Sequence, residues 1–221
     1  MTAIATLQHQ IEECERCPRL RHHCAEIAKV KRKAYQREIY WGRPVPSFGD
    51  PRARLLILGL APGAHGANRT GRMFTGDRSG EWLFRALHET GFANQPTSEN
   101  RTDGLQLKDC YITASAHCAP PDNKPLPEEV ANCRPYLDQE LRLLKNLKAV
   151  LVLGRLAFDN YLKTAQLKRS FEFGHGIVHA GLQPALICSY HPSQQNTSTG
   201  KLTRDMLRQV LETARKHLEY P

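Results

Sequence analysis

The chain has 221 residues, 40% of them hydrophobic, enough for one ordinary domain with its own core and too many for a disordered or fibrous chain. Lysine and arginine number 31 against 22 aspartates and glutamates, and the resulting charge of +9 suits a polyanionic partner, nucleic acid being the commonest. The longest apolar runs, 55–61 and 149–153, fall far short of the ~20 residues of a spanning helix, and polar residues break up positions 7–20 too often for a signal peptide.

In chain order, a basic helical arm comes first, and the stretch from Pro44 to Pro51 separates it from the rest. A strand is read over 54–60, where Arg54 is followed by a continuous apolar run that reaches glycine at 59, as a strand buried on both faces would. Ser79 is the expected N-cap of a helix to Gly91, with Trp82, Leu83, Ala86 and Leu87 on one face. A second strand is predicted over 111–116. Pro127 opens a long amphipathic helix carrying Val130, Tyr136, Leu137, Leu141 and Leu144. A third strand over 149–153 leads into a helix from Arg155 to about Lys163, a fourth strand covers 185–190, and a closing helix runs over 202–218. This alternation predicts one α/β domain spanning 1–221 with a mostly parallel sheet. Ligands of such sheets sit outside the carboxyl ends of the strands.

Two segments fall there. Residues 59–77 hold five glycines in 19 positions, directly after a strand and before a helix, which suggests backbone approaching a ligand closely. The segment matches neither Gly-x-Gly-x-x-Gly nor the P-loop, which argues against a nucleotide cofactor. The second segment, from Tyr190 to Lys201, puts His191 at a strand end before a small polar loop, as a catalytic or recognition loop would.

The seven cysteines are an odd number at uneven spacing, which points to a reduced, cytoplasmic compartment rather than a disulfide framework. Cys14 and Cys17, as a Cys-x-x-Cys pair, together with Cys118 and Cys133 could hold a tetrahedral zinc or an iron–sulfur cluster. Spacing alone leans to zinc, the commoner occupant. Cys110 and Cys188 sit in apolar strands and read as packing residues, and Cys24 does not extend the pattern.

Three segments together carry a resemblance: 59–77, the Cys-Ala-Pro-Pro-Asp-Asn-Lys-Pro run from Cys118, and His191-Pro-Ser-x-x-Asn196. They resemble the motifs of family 5 uracil-DNA glycosylases, and the four-cysteine set is similar to the cluster ligands of family 4 and family 5 enzymes. The resemblance runs from Cys14 to about Thr203. It implies a three-layer α/β/α sandwich around a short, mostly parallel sheet, with a 4Fe–4S cluster held by Cys14, Cys17, Cys118 and Cys133 that ties in the N-terminal arm. It also implies a monomeric base-excision enzyme of prokaryotic type, working at the nucleoid on DNA that contains uracil or other deaminated bases.

The roles implied are residue by residue. His191 would donate to the O2 of the leaving base. Ala61 and Leu60 stand where better-known uracil-DNA glycosylases carry a polar catalytic residue, so Asp77 would steady the sugar cation and orient water. Backbone groups of Leu60 and Ala61 would address the base edge, Phe74 would stack on its face and Asn123 would present its amide. Gly63 would leave room for hypoxanthine, xanthine and modified bases. The loop carrying Pro192, Ser193, Asn196 and Lys201 would probe the minor groove. Two other readings compete. A family 4 type enzyme usually carries Glu where Leu60 stands, and a catalytically silent iron–sulfur DNA-binding module would not need Asp77, Asn123 and His191 together.

Overall fold

A computed structural model describes residues 2–167 and 170–219. Thr2 caps α1 (Ala3–Glu12) by accepting from the Ala5 amide at 3.3 Å, and α2 (Pro18–Val30) follows. The elements then run β1 (Phe48–Gly49), β2 (Leu55–Gly59), α3 (Ala67–Thr70), α4 (Arg78–Glu89), β3 (Cys110–Ala114), α5 (Pro127–Leu143) and β4 (Ala149–Leu153). After them come α6 (Arg155–Thr164), β5 (Val178–His179), β6 (Ala185–Ser189), α7 (Gln194–Ser198) and α8 (Arg204–Glu219). No described helix is long and apolar enough to cross a membrane.

The sheet has the order β1-β3-β2-β4-β6-β5, with the four inner strands parallel and both edges antiparallel. Every residue of the inner strands is buried, which is why the sequence shows continuous apolar runs there rather than alternation. Alternate side chains still part to opposite faces. Leu55, Ile57, Ile112, Leu151 and Ile187 pack on α4 and α8, while Leu56, Leu58, Val150, Val152 and Leu186 pack on α5 and α6. Three layers result. Cys110 and Cys188 are fully buried, one in each core, as packing residues should be.

Three details differ from the sequence reading. The edge strands β1 and β5 are two residues each, too short to leave a periodic signal. The 44–51 stretch is not a separator, because Val45 and Ser47 are buried and the Val45 amide donates to His117 O at 2.7 Å. The cap of α4 is Asp77 rather than Ser79.

The carboxyl group of Glu140 on α5 lies wholly buried against the sheet, taking hydrogen bonds from the hydroxyls of Ser47 and, at 2.7 Å, Thr113. Burial pushes it up to about 7. A carboxyl whose folded value lies above its unfolded one loses stability as pH rises between the two, here from about 4.5 to about 7. Glu140→Gln keeps the shape and cannot ionise. Its stability relative to the parent, read by denaturant unfolding, should grow from near zero at pH 4.5 to at most ~3 kcal/mol at pH 8. A difference independent of pH would show that the carboxyl is not held neutral.

Candidate active site

Because β3 lies on one side of β2 and β4 on the other, the chain reverses its direction across the sheet at β2, and a crevice opens beyond the strand ends. A cavity of about 560 Å³ lies there, lined by Gly59, Leu60, Ala61, Gly63, Phe74, Asp77, Asn123 and His191, with Ser193, Gln194 and Gln195 at its rim. The catalytic and base-binding candidates thus meet in one pocket.

Asp77 divides its two oxygens between two tasks. Oδ1 accepts from the Gly80 amide at 2.9 Å and so caps α4. Oδ2 lies over the glycine loop, where a Cβ on Gly63 would come to 3.0 Å and one on Gly66 would collide with the carboxylate. The glycines therefore make room for a side chain of this protein, which the sequence had suggested they would do for a ligand. Burial raises the Asp77 pKa above the ordinary carboxyl value, although the Gly80 and Ser79 amides and Arg69 pull the other way. A raised carboxylate is a better base.

Phe74 is held at a φ of 53°, a left-handed conformation uncommon for a bulky residue. Its backbone passes so close to α4 that a Cβ at Gly80 would overlap Phe74 O, and its ring comes within 2.8 Å of where a Gly59 Cβ would stand. The ring is half-buried, touches the core on α4's side and lies 5.9 Å from the His191 ring at a tilt of 31°. Burial pushes His191 down to about 4, so it is a neutral imidazole at physiological pH. Asn123 is exposed in a short turn at a φ of 56°, a conformation that asparagine tolerates.

In the loop after β6, Asn196 Nδ2 donates to His191 O at 2.9 Å and Ser193 caps α7 by accepting from the Asn196 amide at 3.3 Å. Both side chains are used within the loop, and Pro192 is buried. Gln194 and Gln195 are exposed, as is Lys201, whose ammonium lies 4.8 Å from the Tyr190 ring.

The four candidate thiols converge from three places: Cys14 and Cys17 between α1 and α2, Cys118 after β3, and Cys133 within α5. The thiols are near enough to act on one another, Cys133 on Cys118 and Cys17 on Cys133, and Cys17 and Cys118 pack in one apolar cluster. Burial raises Cys17 and pushes Cys133 up to about 12, while a hydrogen bond with Cys24 and then burial raise Cys118. Among the described residues no three His, Cys, Asp or Glu side chains stand as a single-ion site. Cys14 is half-buried beside Leu7, Ile11 and Tyr136, apart from the cluster of Cys17 and Cys118, so what suits an iron–sulfur cluster here is the chemistry of four sulfur donors rather than a closed site.

Sequence reasoning missed Cys24 and Arg69. Cys24 joins Cys17 and Cys118 in their apolar cluster. Arg69 donates to His65 O and Gly76 O, each at 2.8 Å, pairs with Glu38 and lies 4.0 Å over the Tyr35 ring. It binds the residue before Asp77 to the N-terminal arm. Nothing in local periodicity marks an arginine buried by long-range contacts.

Comparison with known proteins agrees with this arrangement. The family model of the uracil DNA glycosylase superfamily matches residues 46–215. The chain is 48% identical to a type-5 uracil-DNA glycosylase of Mycobacterium bovis, over 97% of this chain and 81% of the relative. It is also 48% identical to a type-5 enzyme of Thermus thermophilus, over 92% and 93%. A type-4 uracil-DNA glycosylase of Pyrobaculum aerophilum is 28% identical over 85% of this chain and 81% of its own. With its three layers, its crevice and these matches, the chain belongs to the uracil-DNA glycosylase superfamily.

Proposed function

We propose that the chain is a monofunctional DNA repair glycosylase that hydrolyses the N-glycosidic bond of uracil in DNA and leaves an abasic site. The observation that carries this reading is the meeting of Asp77, Phe74 and a neutral His191 in one crevice at the strand ends. The greater identity to type-5 than to type-4 relatives and the presence of Leu60 count against the type-4 alternative. The silent-module reading loses to the intact set of Asp77, Asn123 and His191.

A base inside the duplex is out of reach, so the nucleotide must first be extruded. Phe74 offers a ring for the extruded base to stack on, and Asn123 an amide for its edge. As the bond stretches, negative charge gathers on the base and positive charge on the sugar. A neutral imidazole N–H at His191 stabilises the first by donating to the base oxygen. The free oxygen of Asp77, half-buried in the crevice, stabilises the second and orients the attacking water. Purine lesions such as hypoxanthine and xanthine also enter, because Gly63 lines the pocket with backbone alone and the side chain nearest the space beside it is the Asp77 carboxylate. The enzyme works as a monomer in the cytoplasm, on nucleoid DNA.

Cys14, Cys17, Cys118 and Cys133 would hold a 4Fe–4S cluster, whose contribution is a crosslink between the N-terminal arm, the post-β3 segment and α5. Protein purified without oxygen should be brown, with four irons per chain and broad absorbance near ~400 nm. A colourless protein with one zinc per chain would overturn the cluster.

Alkali-developed cleavage of a uracil-containing oligonucleotide tests the activity, and absence of cleavage would refute it. His191→Ala should slow single-turnover excision on the order of 10²–10³-fold. Asp77→Asn is informative because asparagine caps a helix as well as aspartate does, so only the charge is removed. Excision should slow while binding to an uncleavable analogue stays the same. The wild-type rate should also fall in acid with an inflection above the ordinary carboxyl range, an inflection the variant lacks. Asn123→Ala should penalise uracil more than hypoxanthine. Equal losses on both bases would assign Asn123 a structural or catalytic task instead.

A further inference from the structure

Residues 29–37 carry five cations in nine positions: Lys29, Lys31, Arg32, Lys33 and Arg37. The segment is not a loose tail. A short helical turn at Lys33–Tyr35 shapes it, the Arg32 amide donates to Tyr40 Oη at 3.4 Å, and Tyr40 Oη lies 3.1 Å from His65 Nδ1. The amides of Trp41 and Gly42 donate to Arg69 O and Asn68 O at 2.9 and 3.0 Å. Arg69 completes the joint by lying against Tyr35, pairing with Glu38 and donating to Gly76 O. The arm is thus bolted to the loop that delivers Asp77.

Its cations are free to act outward. Arg32, Lys33 and Arg37 are exposed, and among the described residues none of these three side chains enters a hydrogen bond or an ion pair. Glu38, the acid beside them, is taken up by Arg69. Between the 96–100 loop and α4 runs a cleft of about 640 Å³ that the arm meets at Glu38, the residue after Arg37, and Asp77 lines both this cleft and the catalytic pocket. Within the cleft, Glu38 is paired with Arg69, and Asp77, Glu81 and Glu99 face Arg85 and Arg204, so the lining brings no net positive charge of its own; Arg204 lies 5.5 Å from the ring of Trp82. The unpaired positive charge next to the cleft is that of the arm.

We infer that residues 29–37 are a phosphate clamp that holds the DNA strand flanking the extruded nucleotide, at the side of the 59–77 loop to which the arm is fixed. The inference rests on the glycosylase reading for the identity of the nucleotide, but the clamp itself recognises phosphate and carries no base preference. Holding the strand beside Asp77 adds affinity for every duplex and places the lesion without taking part in the chemistry.

The test compares two charge-matched triple variants. One is Arg32→Ala, Lys33→Ala, Arg37→Ala; the other removes Lys145, Lys163 and Lys216, exposed cations at the opposite ends of the strands. Binding to a lesion-free 30-base-pair duplex is measured across a salt series. The arm variant should bind on the order of tenfold more weakly near 0.1 M salt, with a log–log salt slope shallower by up to about 2.7, since each lost phosphate contact removes ~0.9. The control should change little. With uracil-containing duplex, the arm variant should raise KM and leave the saturated single-turnover rate intact. Equal effects of both variants, or an unchanged slope, would overturn the clamp. Because binding is read on undamaged DNA, failure of the wild-type protein to excise uracil would refute the glycosylase reading alone.

Discussion

A carboxylate serves at a sugar cation only if it is kept from water and yet kept in place, and these demands oppose each other because burial penalises the charge. At Asp77 the N-terminus of α4 resolves the conflict. One oxygen takes the Gly80 amide and sits in the positive end of the helix, while the other stays free over the glycine loop. Much of the surrounding sequence follows from that placement. Gly66 must lack a side chain because the carboxylate occupies its space, Gly80 because the Phe74 carbonyl passes there, and Gly59 because the Phe74 ring does. Arg69 then fixes Gly76 from behind.

The parallel strands set the stage on which this happens. They bury both faces, so only their ends are open to solvent, and the reversal at β2 parts the loops above them. His191 at the end of β6 and the 59–77 loop at the end of β2 are brought together from distant positions by the sheet, not by sequence proximity. The same contact between distant segments recurs at the thiols, where α2 and α5 are clamped by an Arg19–Glu129 ion pair at 2.7 Å beside Cys17 and Cys133.

How much of this was legible in the sequence follows the physics of each part. The inner strands and long helices announce themselves because burial imposes apolar runs and helical periodicity. The two-residue edges β1 and β5 carry too few residues for either signal. Asp77, Phe74, Asn123 and His191 could be named from motif resemblance, but their geometry could not. Ser79 looked like the cap because serine caps helices locally, whereas the cap chosen, Asp77, is set by the loop's packing against Gly63 and Gly66. Arg69, Cys24 and Glu140 were illegible for a common reason: each owes its burial to partners far along the chain.

The measurement closest to the central claim is a titration of the Asp77 side-chain carbonyl by carbon NMR in the DNA-free protein, with Asp77→Asn identifying the resonance. If burial outweighs the helix cap, the midpoint lies above that of an ordinary aspartate. A midpoint at or below the ordinary value would mean that the cap and water hold this carboxylate as they would any surface aspartate, and the account of a desolvated catalytic base would be contradicted.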